Sequence, residues 1–364
     1  MRIAQIAPLW ERVPPLAYGG IELIVSLLTD ELVSRGHNVT LFASGDSETA
    51  ATLQSVHSKA LRLDPEVKEP GIYESMHLNS LYKNAQDFDI IHSHVGCAAL
   101  PFSDLVDTPT VHTLHGIFTP DNEKLFRYAS KQPYVSITDA QRRPNGLNYV
   151  ATVYNGIDIN AFRFYPQPDN PPYLAFLARL SPEKGVHLAI EIAKRSGIPL
   201  KMAGKVDVVD RDYFEQDIKP QIDGDQIQYL GEISHRQKNE LVGRAIATLC
   251  PITWPEPFGL VITESMASGT PVIGIGLGSV PEVISHGTTG FVCDSVEDCI
   301  AAVPAVSTLS RLACRDHVAT RFSVKQMVDG YEAVYQQILS AKAGAVNGYV
   351  NSYVPSDTPV SLPA

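Results

Sequence analysis

The sequence has few cysteines and no long hydrophobic run, and both absences exclude classes of protein. Five cysteines stand among 364 residues, with no Cys-x-x-Cys pair and no zinc-type spacing of Cys and His. This odd and scattered set argues against a disulfide framework and favours reduced thiols. The opening apolar run ends at a proline after six residues, which is too short for a signal peptide or a membrane span. We therefore expect a soluble cytoplasmic protein that begins near Met1.

Basic residues are also scarce. The chain has 29 Lys and Arg against 40 Asp and Glu, a formal net charge of −11, and residues 1–165 alone have 13 against 18. Nucleic acids and anionic membranes attract proteins largely through basic surface. The acidic balance therefore argues against a nucleic-acid partner and against strong membrane binding.

The hydrophobic pattern predicts two domains of similar design. Short apolar runs recur at spacings that suit parallel crossovers, and the pattern restarts after the proline-rich stretch "RFYPQPDNPP". We expect an α/β fold with two Rossmann-like, doubly wound parallel-sheet domains that face each other across a cleft, over residues 1–165 and 166–322. A helical stripe over 323–340 is expected to join the first domain, and a tail over 341–364 is expected to be disordered.

The stretch "PEPFGLVITE" places Glu256 and Glu264 on either side of a predicted helix start. Its Pro-Phe-Gly turn predicts a helix that begins near Leu260, whose free N–H groups and positive dipole end would form an anion site. Glu264, one turn into the helix, could accept two hydrogen bonds from a vicinal diol such as a ribose. Glu256 would face the group attached to the phosphate. Both glutamates could instead be solvated surface charges.

Two other segments have patterns typical of phosphate sites. In "ARLSPEKG", Arg179 and Lys184 lie at a strand end and at the following helix start, where two cations and helix N–H groups can clamp a diphosphate. In "PPLAYGGIE", Gly19 and Gly20 lie where a strand-helix loop needs close backbone approach to a ligand. The alternative for the first segment is a solvated helix N-terminus, and the alternative for the second is a plain turn.

These segments together resemble the signatures of family 4 retaining glycosyltransferases, which have the two-domain GT-B fold. The resemblance rests on "LARLSPEKG", "PEPFGLVITESMASGTPVIG", "SVPEVISHGTTGFV" and "VYNGID", and it covers residues 1–340. It implies that Arg179 and Lys184 bind the donor diphosphate. It further implies that Glu264 binds the ribose hydroxyls and that Glu256 binds the transferred sugar.

The same resemblance implies binding roles for several backbone groups and for one histidine. The N–H groups of Phe258, Gly259 and Leu260 would help Glu256 to hold the sugar, and Gly19 and Gly20 would approach the phosphate and the acceptor. His115 in "VHTLHGIF" matches a family histidine near the donor sugar. A hydrogen-bonded histidine at a strand end is the alternative for His115.

No metal or other cofactor is expected. The resemblance implies none. His92 and His94 share one face of a strand and could suggest a metal, but no carboxylate or cysteine partner is evident. Lys205 is expected only to lie near the nucleotide, and Trp254 could line the cleft wall.

The expected activity is transfer of a sugar from a nucleoside diphosphate sugar to an acceptor hydroxyl, with retention of configuration. UDP is the first choice of nucleotide and GDP the second, and the catalytic residues would be Glu256, His115, Lys184 and Arg179. A sugar-nucleotide epimerase and a non-catalytic sugar-nucleotide sensor are the alternatives. A small or water-accessible acceptor is expected, because the helix predicted from Gly20 to Arg35 has one basic residue and would gain little attraction to an anionic membrane. The sugar, the acceptor and the oligomeric state stay open.

Overall fold

The computed structural model describes residues 1–16, 19–142 and 146–350. Within these ranges, seven strands form the first sheet: β1 (Arg2–Ile6), β2 (Asn38–Phe42), β3 (Thr52–Gln54), β4 (Ile90–Ser93), β5 (Thr110–Leu114), β6 (Tyr134–Ser136) and β7 (Tyr149–Thr152). Their order is β3-β2-β1-β4-β5-β6-β7, and every neighbouring pair is parallel. The short edge strand β3 was not predicted from the sequence.

The second sheet has six strands among the described residues. They are β8 (Leu174–Leu177), β9 (Leu200–Ala203), β10 (Ile227–Tyr229), β11 (Ala247–Cys250), β12 (Val272–Ile275) and β13 (Gly290–Cys293). Their order is β10-β9-β8-β11-β12-β13, again with parallel neighbours. The predicted pair of doubly wound domains is therefore confirmed.

Helices cover the sheets because parallel strands are linked by crossovers on their faces. In the described ranges the α-helices are α1 (Gly20–Ser34), α2 (Pro70–Tyr82), α3 (Leu100–Ser103), α4 (Asn122–Tyr128), α5 (Val186–Ser196), α6 (Arg211–Tyr213), α7 (His235–Arg244), α8 (Leu260–Ala267), α9 (Val280–Val283), α10 (Val296–Ala305), α11 (Arg311–Arg321) and α12 (Val324–Val350). This cover buries both faces of each sheet, and β4, β5 and β11 are buried along their whole length.

Helix α12 returns the chain to the first domain. Its residues Met327, Val328, Tyr331 and Tyr335 are buried in the same cluster as Ile3 of β1. The helix runs without a break to Val350, so residues 341–350, which were expected to belong to a disordered tail, are helical. The rest of the expected tail, residues 351–364, lies outside the described residues.

The strand order places a ligand crevice between the domains. In the first sheet the direction of winding changes between β1 and β4, and in the second it changes between β8 and β11. Ligands of open parallel sheets bind beyond the carboxyl ends of the strands at such switch points. The segments after β1, β5, β8 and β11 meet there, and they contain the glycine pair, His115, Arg179 and the two-glutamate motif.

Candidate active site

A cavity of about 390 Å³ lies between the two sheets. The first domain contributes residues from the start of α1, the end of β5 and the segment after β7, and the second contributes the ends of β8 and β11 and the start of α8. The lining includes eight of the predicted site residues, namely Gly20, His115, Arg179, Lys184, Glu256, Phe258, Gly259 and Leu260. Gly19 precedes this lining in the loop, and Glu264 lies farther along α8.

The start of α8 has the geometry of an anion site. The helix begins at Leu260, as predicted, and Gly259 has a φ of 77°, a left-handed conformation that favours glycine. Phe258 is buried, and its carbonyl accepts a hydrogen bond from the Ser279 hydroxyl at 2.8 Å. Thr138 of the first domain donates to the carbonyl of Pro257 at 2.9 Å. These contacts fix the turn, which lines the cavity together with the helix start, where the first N–H groups lack intrahelical acceptors.

Glu256 is paired with Lys184. The Lys184 ammonium donates to the Glu256 carboxylate, Trp254 Nε1 donates to the same oxygen at 2.9 Å, and the ammonium lies 4.7 Å from the centre of the Trp254 ring. Gly185 makes this arrangement possible, because a Cβ there would lie 1.9 Å from the carbonyl oxygen of Pro251. The short turn that precedes α5 therefore reaches the end of β11. The sequence predicted both charges but did not predict their contact.

Arg179 faces three carboxylates. It pairs with Glu183 and lies 3.5 Å from Asp207 and 3.7 Å from Asp210. Lys205, which was expected only to lie near the nucleotide, pairs with Asp207 at 2.7 Å. The Arg179 side chain is 27% exposed and lines the cavity, so a ligand in the cleft can still reach it. A second cation of the predicted diphosphate clamp is thus held in place by acidic neighbours.

Glu264 is held by a lysine that the sequence reading did not identify. The carboxylate is buried on α8, and Lys238 of α7 donates to it at 2.5 Å. The Lys238 ammonium also lies 5.6 Å from the centre of the Phe162 ring. Lys238 is far from Glu264 in sequence and has the appearance of a surface helix residue. No local signal could have paired the two.

His115 lies at the end of a chain of buried hydrogen bonds. Gln5 Nε2 donates to the Tyr335 hydroxyl at 3.1 Å, so its Oε1 accepts from His94 Nε2 at 2.8 Å. His94 Nδ1 must then accept the hydrogen bond from His115 Nε2, over 2.9 Å. In this order of donors His115 is the Nε2–H tautomer, and its Nδ1 is a hydrogen-bond acceptor. None of the described residues hydrogen-bonds to that Nδ1.

The histidines of this hydrogen-bond network, His92, His94 and His115, are neutral at physiological pH. Burial lowers the pKa of His115 to about 4 and holds the pKa of His92 and of His94 well below the usual range. His92 is hydrogen-bonded to Tyr335 at 2.7 Å and to Thr113 at 2.7 Å, so both of its ring nitrogens have protein partners. The described residues contain no group of three or more metal-ligating side chains.

Two further residues were missed by the sequence reading, one in the cavity wall and one at a contact between the domains. Asn155, in the "VYNGID" segment, is buried in the cavity wall, and no described residue hydrogen-bonds to its Oδ1. Glu282 of α9 joins the domains: it accepts from the backbone N–H groups of Asp139 at 2.8 Å and Ala140 at 2.6 Å, and from the Tyr154 hydroxyl at 3.0 Å. Asn155 could have been found from its motif, whereas Glu282 depends on tertiary contacts.

Comparison with known proteins decides the family. A model described as Glycosyltransferase Family 4 matches residues 18–143, and one described as Glycosyl transferases group 1 matches residues 158–312. The chain belongs to the family 4 glycosyltransferases. A similar relative of this glycosyltransferase is glycogen synthase from Mycobacterium tuberculosis, which is 24% identical over 94% of the chain and 96% of the relative.

Solved structures share the GT-B fold of this glycosyltransferase. Sucrose-phosphate synthase from Thermosynechococcus elongatus has a TM-score of 0.76 and 18% identity, covering 93% of this chain and 99% of that one. HepE from Anabaena, in complex with UDP, has a TM-score of 0.72 and 18% identity, covering 93% of this chain and 100% of that one. The predicted family and fold are therefore both confirmed. No α-helix of the described residues combines the length and the apolar character needed to cross a bilayer.

Proposed function

We propose that this glycosyltransferase moves a sugar from a nucleoside diphosphate donor to an acceptor hydroxyl, with retention of configuration and without a metal ion. The observation that carries the proposal is the meeting of Lys184, Glu256 and the start of α8 on one wall of the cleft between the domains. UDP is the first choice of nucleotide, a choice supported by the UDP complex of the structural relative HepE. GDP is the second choice.

The leaving diphosphate carries most of the negative charge that this site must stabilise. Arg179, Lys184 and the first N–H groups of α8 supply positive charge and hydrogen-bond donors, and Gly20 lets the first domain approach from the opposite side. In this proposal no side chain becomes a covalent nucleophile. These groups lower the barrier because they favour the separated diphosphate charge over the intact donor.

The two glutamates have different tasks in this proposal. Glu264 accepts hydrogen bonds from the ribose hydroxyls, with Lys238 holding its carboxylate in place. Glu256, with the N–H groups of Phe258 and Gly259, holds the hydroxyls of the transferred sugar. The neutral His115 contributes the acceptor atom Nδ1 to a hydroxyl of that sugar.

The proposed reaction balances without an external base. The bond between the anomeric carbon and the phosphate oxygen breaks, and the acceptor oxygen forms its bond to that carbon on the same face. The acceptor hydroxyl gives its proton to the leaving phosphate oxygen. His115 does not serve as the base in this scheme, because its lowered pKa makes it a weak one at neutral pH.

Binding and turnover measurements on two variants test the proposal. Wild-type protein should be stabilised by UDP more than by GDP or ADP in a thermal-shift panel, since a ligand at 100 times its Kd adds about 2.7 kcal/mol. Glu264→Gln should weaken binding of free UDP. Glu256→Gln should lower turnover of the sugar donor and should not weaken UDP binding. Equal weakening of UDP binding by both variants would contradict the assigned roles.

The compartment and partners belong to the same proposal. All five cysteines are free thiols, four of them buried, which suits a reducing cytoplasm. The acidic balance of the chain favours a small or water-accessible acceptor over one embedded in an anionic membrane. Flotation with anionic vesicles at low ionic strength checks this, because a protein that floats with the vesicles would contradict it.

A further inference from the structure

A series of buried hydrogen bonds, which we name the relay, connects helix α12 to the cleft. Its members, in order, are Thr113, His92, Tyr335, Gln5, His94 and His115, and successive members lie 2.7–3.1 Å apart. The first five members are at most 1% exposed, and the last one lines the cavity. Because buried polar groups need hydrogen-bond partners, each member depends on its neighbours in the relay.

The direction of one hydrogen bond in the relay sets the direction of the others. A neutral imidazole has one N–H and one bare nitrogen, a hydroxyl has one proton, and the Gln5 amide has a donor end and an acceptor end. When Gln5 Nε2 donates to Tyr335, His115 has a bare Nδ1 toward the cleft. When the amide is turned over, the bonds between it and the cleft reverse, and His115 carries its proton on Nδ1.

Tyr335 decides which end of the amide faces α12. Its hydroxyl lies 2.7 Å from His92 Nδ1 and 3.1 Å from Gln5 Nε2. His92 Nε2–H donates to Thr113 over 2.7 Å, so its Nδ1 is bare and accepts the Tyr335 proton. The hydroxyl oxygen is then left as an acceptor. The donor end of Gln5 is the end that can pair with it.

We propose that Tyr335 is a positioning residue of the transferase, which acts through Gln5 and His94 to fix the tautomer that His115 presents to the donor sugar. The proposal rests on the role given to His115 in the proposed function. The Tyr335 hydroxyl does not touch the donor, because two side chains of the relay stand between it and His115. Helix α12 thereby gains a task at the sugar end of the cleft besides its packing on the first domain.

Loss of the Tyr335 hydroxyl should reverse the order of donors. In Tyr335→Phe, the end of the Gln5 amide that faces α12 has no partner. A buried N–H without an acceptor is tolerated less often than a carbonyl without a donor, so the amide should turn its Oε1 toward the phenyl ring. Gln5 Nε2 then donates to His94, and His94 donates from Nδ1 to His115. His115 would present an N–H where it had presented a bare nitrogen.

A second variant reaches the same state from another element. His92→Leu, on β4, removes the acceptor of the Tyr335 proton. The Tyr335 hydroxyl then donates to Gln5 Oε1 and reverses the same bonds while the tyrosine itself stays in place. If Tyr335→Phe does not fold, His92→Leu provides the same test.

Tyr331→Phe is the matched control. Tyr331 lies one turn earlier on α12 and is as fully buried as Tyr335. Its hydroxyl contacts Thr113 over 3.0 Å, at the end of the relay that is remote from the cleft. The substitution therefore removes a buried hydroxyl from the same helix without touching the bonds between Tyr335 and His115.

Nitrogen NMR and kinetics give separate readouts. Long-range ¹H–¹⁵N spectra of protein labelled with ¹⁵N-histidine distinguish a bare ring nitrogen from a protonated one without any substrate. The signals that disappear in His115→Gln belong to His115. Calorimetry of UDP binding shows that each variant is folded, and hydrolysis of UDP-glucose without acceptor gives kcat.

We expect His115 to have a bare Nδ1 in the wild type and in Tyr331→Phe. In Tyr335→Phe and His92→Leu it should carry its proton on Nδ1, and kcat should fall by about tenfold, the loss of one hydrogen bond to the reacting sugar. UDP affinity should stay within about twofold of the wild-type value, because UDP has no sugar to contact His115.

The outcomes that would overturn the proposal are distinct. A wild-type His115 protonated on Nδ1, or an unchanged tautomer in both relay variants, would overturn the relay. A reversed tautomer with unchanged kcat would overturn the positioning role, and an equal loss of kcat in Tyr331→Phe would show an effect of packing alone. Absence of UDP binding and of UDP-glucose hydrolysis in the wild type would instead refute the proposed function, while the spectra would still test the relay.

Discussion

Replacement of Lys238 by methionine tests whether the buried ion pair with Glu264 supports the nucleotide site. The Glu264 side chain is 7% exposed and that of Lys238 is 20% exposed, and their charged atoms lie 2.5 Å apart. Lys238→Met keeps most of the stem that lies near the Phe162 ring and removes the charge. It therefore leaves a buried carboxylate without its cation.

The expected cost follows from the burial of the two partners. Removal of one partner of a fully buried pair costs about 3–5 kcal/mol, because the remaining charge stays desolvated. Lys238 is partly solvated, so we expect Lys238→Met to lower the free energy of unfolding by about 2–3 kcal/mol. Glu264→Gln leaves a lysine that can turn toward water, and it should cost about 1 kcal/mol. The double variant should be more stable than Lys238→Met alone, since it no longer buries an unpaired charge.

Urea unfolding with a matched control gives the measurement. Arg236 lies on the same helix, is 89% exposed and pairs with Glu240, so Arg236→Met should cost less than about 0.5 kcal/mol. Calorimetry should also find weaker UDP binding in Lys238→Met, by about tenfold, because an unheld Glu264 no longer presents its oxygens to the ribose. A loss of stability as small as that of Arg236→Met, or unchanged UDP affinity, would refute the reasoning.

Three further predictions concern other parts of the molecule. Burial raises the pKa of Glu22 to about 7 from 4.5, so the folded protein keeps a proton that the unfolded chain loses between these values, and stability from this group falls as pH rises through that range. Glu22→Gln should therefore raise Tm at pH 8 but hardly at pH 4.5, whereas the exposed Glu66→Gln should change neither. His94→Leu removes the acceptor that orients His115 and should lower kcat by about tenfold to a hundredfold with UDP affinity retained. His94→Asn should keep more activity, because its Oδ1 can replace Nδ1 as the acceptor. Equal losses of kcat in the two variants would contradict the Nε2–H tautomer of His115. Glu282→Ala removes three hydrogen bonds between the domains and should change kcat and KM together, while unchanged kinetics would show that the contact is dispensable.

The sequence was sufficient to predict the position of a site residue where that position is set by the helix start or strand end in which the residue lies. The start of α8 at Leu260 follows from the glycine before it, and the strand ends that hold His115 and Arg179 follow from short apolar runs. Since parallel strands all end at one edge of a sheet, the sequence could also predict that these segments meet. The roles assigned to Arg179, Lys184, Glu256 and Glu264 remain predictions.

Partner choice could not be predicted, because it depends on contacts between distant segments. Lys238 and Glu264 are brought together by the packing of α7 against α8, and Glu282 meets backbone groups that lie more than a hundred residues earlier. The end of α12 was also missed, since the glycines and polar residues after position 341 are weak helix formers that the sequence reading assigned to a disordered tail. Long-range contacts decided the pairing of Lys238 with Glu264 and the contacts of Glu282.

The protein's own carboxylates neutralise the cations of the cleft. Lys184 and Arg179 are both paired with carboxylates, so neither cation is left desolvated before the donor arrives. A bound diphosphate must then compete with Glu256 for Lys184, and the freed Glu256 becomes an acceptor for sugar hydroxyls. Binding of the diphosphate and presentation of Glu256 to the sugar are therefore coupled through one ammonium group. On this basis a nucleoside diphosphate without a sugar should release Glu256 without giving it a new partner, and the complete donor should bind more tightly than the free nucleotide.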